Sequence, residues 1–205
     1  MQKTTLLYIS DPMCSWCYGF NKTLVKVREA IADKMDFEYV LSGLAPDSDE
    51  AMTSDTKDYI QGQWKAVEKK TGVKFNWDFW DQCEPRRSTY PACRAVLATK
   101  VLDETKIDAM FAAIQDAYYQ NTQNPSNLDV LTKVAESIGL KKDAFEKSIQ
   151  SPEVEALLQE DLTLHAKLGK LPFPSLVIRQ DKMLKVISEG FVRHKKIIAK
   201  LEAFL

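Results

Sequence analysis

The sequence predicts an α/β fold in the order β-α-β, then a large all-helical insertion, then β-β-α. Three observations predict it. Two apolar strand-like runs flank a helical pattern near the N-terminus. A long middle stretch carries 3.6-residue periodicity punctuated by Gly and Pro. Beyond Gly169, two more strand runs and an amphipathic helix close the chain.

Residues 4–10 read as the first strand. The near-continuous apolar run Leu6-Leu7-Tyr8-Ile9 suggests burial on both faces, as in a central parallel strand. Residues 14–34 read as a helix. Phe20, Leu24, Val27 and Ile31 recur every three or four positions, with Asn21, Lys22, Lys26 and Arg28 between them. Phe37 to Leu41 reads as a second strand ending at Ser42-Gly43, and the resulting β-α-β unit is expected to be parallel and right-handed.

From Ala45-Pro46-Asp47 to about Leu168 the pattern is mainly helical. Helices are predicted near 49–71, 89–100, 104–120, 127–138, 141–149 and 152–168. Breaks fall at Thr71-Gly72, Glu84-Pro85, Asn121 to Pro125, Gly139 and Ser151-Pro152. Ser126 or Asn127 is placed to cap one helix and Ser151 another. The block is too long for a loop, so residues 46–168 read as an inserted helical subdomain, with 1–45 and 169–205 forming the α/β domain around it. Trp64, Phe75, Trp77, Phe79 and Trp80 concentrate aromatic surface, either as core packing or as one wall of a groove.

Ser175 to Ile178 and Met183 to Ile187 read as strands of a hairpin turning at Arg179 to Lys182. In the last helix Val192, Ile197, Ile198, Leu201 and Phe204 or Leu205 make the buried face, with Lys195, Lys196 and Lys200 on the wet one.

The chemistry concentrates in Asp11-Pro12-Met13-Cys14-Ser15-Trp16-Cys17-Tyr18. The two cysteines fall where a strand gives way to a helix, in its first turn. Unpaired N–H groups and the positive end of the helix dipole favour a thiolate there. Cys14 is the natural nucleophile; Cys17, one turn on, can attack a mixed disulfide formed by Cys14. Two alternatives stand beside redox chemistry: an inert buried pair, and half of a zinc site. Zinc usually needs a second close pair of ligands, and Cys83, Cys93, His165 and His194 are widely and irregularly spaced. Cys83 and Cys93 read either as a pair or as buried apolar residues, the second being favoured. Pro174 stands at a strand start, where the missing N–H is tolerated and a cis peptide is affordable. By its own chemistry it reads first as an ordinary trans proline ending a loop; the dithiol upstream and the β-β-α order after it shift that balance toward cis.

Composition narrows the partners. The 205 residues are 45% hydrophobic and 28% charged, with formal net charge −1 and no long run of one sign. Nucleic acid and anionic membrane are therefore poor partners, and no apolar stretch has the length of a transmembrane helix. Four cysteines do not make a disulfide scaffold. Met1-Gln2-Lys3-Thr4-Thr5 runs into the first strand without a signal-peptide core. That predicts a cytoplasmic protein if Met1 is the natural start, and a periplasmic one if a leader has been removed.

This arrangement resembles the thioredoxin superfamily, most closely the DsbA-like branch with a helical insertion that includes the FrnE-type and 2-hydroxychromene-2-carboxylate isomerase-like proteins. The residues that carry the resemblance are Asp11 to Tyr18, Ser88 to Arg94, and Gly169 to Ile178 around Phe173-Pro174-Ser175. It implies that Cys14 is an exposed nucleophile and Cys17 a buried resolving thiol. It implies a cis Pro174 against the disulfide, which keeps the Phe173 backbone free for an extended substrate and discourages metal capture. Ser15 and Trp16 would tune the redox potential and meet the partner. Two positions depart from the pattern. Ser15-Trp16 stands where many DsbA-type proteins have Pro-His, and brings no positive charge. Tyr8 stands six residues before Cys14, where many relatives have a buried acid, so proton transfer from Cys17 falls to Asp11, a water or another group.

The expected function is thiol–disulfide exchange with protein or peptide thiols and disulfides. It needs no metal or organic cofactor, with glutathione as an alternative co-substrate. The runner-up is a glutathione-dependent transferase or isomerase of the same fold, and a third class is a non-catalytic chaperone or adaptor.

Overall fold

The computed structural model describes residues 4–204. β1 (Thr4–Ser10) runs parallel to β2 (Asp36–Leu41) on one side and antiparallel to β3 (Ser175–Gln180) on the other; β4 (Met183–Glu189) completes the order β2-β1-β3-β4. The central position of β1 accounts for its apolar run: Leu6, Leu7, Tyr8 and Ile9 are all fully buried. Alternate side chains serve opposite faces. Leu6 and Tyr8 enter the main core, whereas Leu7 and Ile9 join Val40 and Val177 in a smaller one. The hairpin turn is two residues, Asp181 and Lys182, shorter than predicted, because Arg179 and Gln180 stay in the ladder opposite Leu184 and Met183. Asp181 takes the left-handed conformation such a turn requires (φ 51°).

α1 (Ser15–Ile31) connects β1 to β2. It starts one residue later than predicted, since Cys14 is extended (φ −85°, ψ 116°), and it stops before Asp33, which has φ 62°. α2 (Ser54–Thr71) begins well after residue 49. Thr53 caps it, accepting from Thr56 N at 3.3 Å, and Met52 N is drawn away to Pro85 O at 2.9 Å. α3 (Phe79–Gln82) is a single turn that periodicity did not predict. α4 (Tyr90–Leu102), α5 (Ile107–Tyr119), α6 (Leu128–Ser137), α7 (Lys142–Ile149) and α8 (Pro152–Lys167) follow the predicted order, and α9 (His194–Leu201) closes the chain. Ser151 caps α8 as expected, its hydroxyl accepting from Val154 N at 3.2 Å. Val192 precedes α9 rather than lying on it, and Leu205, assigned to its buried face, lies outside the described residues.

The helices of residues 46–168 share the main core with α1 and the sheet. Gly19 lets α2 approach closely, since a Cβ there would stand 2.7 Å from Val67 Cγ1. α8 serves the other face of the sheet, where Leu164 packs on Leu7, Ile9, Val40 and Val177.

α8 also supplies Asp161, whose Oδ2 accepts from Leu41 N at 2.8 Å on edge strand β2. Burial raises this carboxyl to about 7, against the donor at Leu41 and the charge of Lys100. A folded value above the unfolded one means that ionisation opposes folding. The penalty is absent below about pH 4, grows through the interval up to 7, and is complete above it, at up to about 4 kcal/mol. Asp161→Asn keeps an acceptor for Leu41 and should raise stability at pH 8 while leaving it nearly unchanged at pH 4. Denaturant unfolding at the two pH values measures this.

Candidate active site

The loop that follows β1 is fixed by Asp11, which is fully buried. Its Oδ1 accepts from Met13 N at 2.6 Å, and its carbonyl accepts from Cys14 N at 3.0 Å, closing a tight turn. Its Oδ2 accepts from Leu44 N at 2.6 Å in the loop beyond β2. Leu44 N is shared with Thr89 Oγ1 (2.9 Å), which also accepts from Ala45 N at 3.1 Å. One carboxylate and one hydroxyl therefore lock three remote segments together. Gly43 makes the approach feasible: it has φ 55°, and a Cβ there would lie 2.5 Å from the Tyr90 ring. Burial raises the Asp11 carboxyl, opposed by Thr89, by the amides of Leu44 and Met13, and by the charge of Arg87.

That turn delivers Cys14 to the N-cap of α1 and Cys17 to its first turn. Cys14 is the N-cap residue, no side chain makes a capping hydrogen bond to this helix, and its first turn holds no acid, so no other side-chain anion competes for the positive end of the dipole. The expectation of an exposed Cys14 is corrected: it is only 5% exposed, because α2 and the loop beyond β2 rise around it, and it lies at the floor of a groove. Cys17 is fully buried behind it. Both are free thiols, with the Cys17 thiol within hydrogen-bonding range of Cys14. Burial pushes the Cys17 thiol well up, and the neighbouring Cys14 adds to this; the Asp11 backbone and the Tyr8 hydroxyl act the other way.

The groove has a volume of about 440 Å³. Tyr59, Ile60, Gln63 and Trp64 of α2 form one wall, with Leu44 and Arg87 beside them. His165 of α8 and the segment Lys170 to Phe173 form the other. Ser15 and Trp16 line it next to Cys14. Trp16 is held by its indole N–H, which donates to Gln63 Oε1 at 3.0 Å, and by Phe191, whose ring centroid is 6.1 Å away. Phe173 lines the opposite side, packed on the His165 ring at 5.0 Å, and His165 Nε2 anchors the same segment at Leu171 O (2.7 Å). The Phe173–Pro174 peptide is cis, and Pro174 is buried at the head of β3.

Cys83 and Cys93 do not pair. Cys83 is half-buried and donates to the Thr122 carbonyl, whereas Cys93 is buried within α4, where burial raises its thiol. Among the described residues no three His, Cys, Asp or Glu side chains converge to hold a metal ion, and no described helix is long and apolar enough to cross a membrane.

Sequence reasoning missed Arg87 and His165, which line the groove, and Thr89, which is buried beside it and ties its loops together. Thr89 lay in a stretch already suspected of starting a helix near the site. His165 was weighed only as a metal ligand. Arg87 gave no local signal, yet it differs from its neighbours. Arg86 pairs with Asp49 and Arg94 with Asp47 and Glu155, while Arg87 makes no hydrogen bond or ion pair among the described residues.

The family model for thioredoxin matches residues 7–188. Among solved structures, a candidate protein disulfide isomerase from Nitrosomonas europaea is 26% identical with a TM-score of 0.90, covering 99% of this chain and 98% of that one. The cytosolic disulfide reductase DsbM from Pseudomonas aeruginosa, solved with glutathione, is 25% identical with a TM-score of 0.78, covering 98% of each chain. Among curated proteins, the ClpXP adapter protein SpxH of Bacillus subtilis (strain 168) is 22% identical over 182 residues, or 86% of this chain. The chain spans 60% of that relative's length.

Proposed function

The chain belongs to the thioredoxin family, with the fold of its DsbA-like oxidoreductases, and from that premise we propose that it is a thiol–disulfide oxidoreductase acting through Cys14 and Cys17. One observation carries the reading: Cys14 stands at the N-cap of α1, lining an open groove, with the buried Cys17 thiol beside it. As a thiolate, Cys14 accepts the unpaired amides of the first turn and gains from the helix dipole. It attacks one sulfur of a substrate disulfide, and the other sulfur leaves as a thiolate that takes up a proton. Cys17 then attacks the Cys14 sulfur. The substrate departs as its second thiol, and the two electrons it gained leave a Cys14–Cys17 disulfide behind. The cysteine pair carries the electrons without a metal or organic cofactor.

The groove suits a polypeptide. Among the described residues the Phe173 amide and carbonyl have no hydrogen-bond partner, which supports pairing with an extended substrate segment by strand addition. Trp16, Tyr59 and Phe173 offer apolar contact on either side of the thiol. The direction is reductive. A strong oxidant of this fold owes its power to a stabilised dithiol form, and Ser15-Trp16 supplies no positive charge to stabilise a thiolate. The relative DsbM is described as a cytosolic disulfide reductase, in keeping with a cytoplasmic role here.

Glutathione is the small thiol that fits. The groove is lined by Arg87 and Lys170 and, among its described residues, by no Asp or Glu. The unpaired Arg87 is free to take a carboxylate beside the reacting sulfur, as the glutathione held by DsbM encourages. Arg87→Gln should raise KM for glutathione disulfide about fivefold, corresponding to about 1 kcal/mol for a half-exposed charge pair. The KM for uncharged hydroxyethyl disulfide should not move. Steady-state kinetics with the two disulfides test this, and an equal change for both would remove Arg87 from recognition.

A further inference from the structure

We propose that the Tyr8 hydroxyl is the hydrogen-bond donor that readies buried Cys17 for the resolving attack, making Tyr8 a positioning residue that acts through Cys17. The proposal rests on the oxidoreductase reading and adds a role to a residue of the sheet.

The need arises from burial. Cys17 is fully enclosed, yet it must carry negative charge as it attacks the mixed disulfide on Cys14, and an enclosed charge needs a donor. The groups that face it are few: Cys14 on its own helix, the Asp11 backbone from the preceding loop, Tyr8 from β1 and Tyr119 from α5. None is a cation. The Asp11 carboxylate is committed elsewhere, since both its oxygens already accept amides, from Met13 and Leu44. Its backbone also favours the Cys17 thiolate, so Tyr8 is the side-chain donor beside a backbone one.

Tyr8 and Tyr119 both carry buried hydroxyls without a partner among the described residues, and of the two it is Tyr8 that bears on the Cys17 thiol as a hydrogen-bonding group. Its hydroxyl is buried and makes no hydrogen bond of proper geometry among the described residues, while lying against the Cys17 thiol. Its ring sits among Phe20, Phe37, Tyr39 and Phe111, with centroids 5.7–6.3 Å away. A phenylalanine would fill this cage equally well, so packing does not offset the cost of enclosing an unsatisfied hydroxyl. Tyr39 does not satisfy it: its hydroxyl donates to Asp108 Oδ1 at 2.8 Å, and no hydrogen bond links the two phenols. The sulfur is the acceptor within reach, and a thiolate is a far better acceptor than a thiol. Burial and both cysteines push the Tyr8 phenol well up, so it stays protonated and able to donate at neutral pH.

During resolution the Cys17 sulfur bonds to Cys14 and the Cys14–substrate bond breaks. The electron pair goes to the departing sulfur, which also receives the proton lost by Cys17. Tyr8 keeps its own proton throughout and only stabilises the charge in transit.

The test separates the two chemical steps. A mixed disulfide of Cys14 with thionitrobenzoate is formed, and release of the coloured thiol reports attack by Cys17. Tyr8→Phe should slow this release about tenfold, the worth of one hydrogen bond to a charged group. It should also move the pH midpoint of release upward and leave formation of the mixed disulfide within about twofold of wild type. Thermal stability should not fall, because an orphan hydroxyl has been removed. Difluorotyrosine at position 8 keeps the shape and strengthens the donor, and should move the midpoint downward. Release at the wild-type rate and midpoint in both variants overturns the role of Tyr8 alone. A wild-type protein that forms no mixed disulfide at Cys14 overturns the oxidoreductase reading beneath it.

Discussion

Cys14→Ser is expected to lower disulfide turnover by at least about a thousandfold, the scale on which removing a covalent nucleophile acts. Hydroxyl for thiol is a small change of volume at a position 5% exposed, so the fold should persist and the loss should be chemical. Cys17→Ser should behave differently. The first attack survives, resolution does not, and a stable mixed disulfide with the substrate accumulates. Mass spectrometry of the product distinguishes the two variants. A Cys17→Ser protein that turns over at the wild-type rate would contradict the two-thiol scheme. Full biological function in the double Cys14→Ser, Cys17→Ser protein would favour the non-catalytic adaptor instead.

The largest loss of stability is expected at Trp64. Its side chain is fully buried and touches six other rings: Phe75 in a stacked contact at 4.6 Å, and Trp77, Phe79, Trp80, Tyr118 and Tyr119 in tilted or edge contacts at 5.1–5.9 Å. Trp64→Ala should cost about 3–5 kcal/mol, a fall in Tm on the order of 10 °C for a chain of this size. Trp64 also lines the thiol groove, next to the Gln63 that holds Trp16. The variant should therefore lose activity below its new Tm, as Tyr118 and Trp16 lose their support. Chemical unfolding followed by tryptophan fluorescence measures the first effect, and a change under about 1 kcal/mol would mean the aromatic cluster is not the core it forms here.

What the sequence revealed was whatever is local. The apolar run of β1, the helical period of α1 and the Cys14–Cys17 spacing each lie within a few residues, so strand, helix and dithiol were legible together. Ser151-Pro152 announced α8 for the same reason. α3 was hidden because its single turn exists through contact, with Phe79 buried against Trp64 and Tyr118. The start of α2 was misplaced because residues 51 and 52 are captured by residues 86 and 85, a pairing no periodicity encodes. The groove was the least legible part. Leu44, Arg87 and His165 come from separate segments, joined by the Asp11 and Thr89 hydrogen bonds and by α8 crossing beneath the sheet. The same assembly covers Cys14, which the family resemblance implied would be exposed. The aromatic concentration was read as core or as groove wall; Trp64 is both.

The most direct measurement is the equilibrium of the Cys14–Cys17 couple across a series of reduced and oxidised glutathione mixtures, with each cysteine followed by alkylation and mass. The expected result is one reversible two-electron transition confined to Cys14 and Cys17. Its midpoint should fall nearer thioredoxin's about −270 mV than the about −120 mV of DsbA, with Cys83 and Cys93 unchanged throughout. Absence of a Cys14–Cys17 disulfide at every ratio, or oxidation appearing at Cys83 and Cys93 instead, would contradict the account.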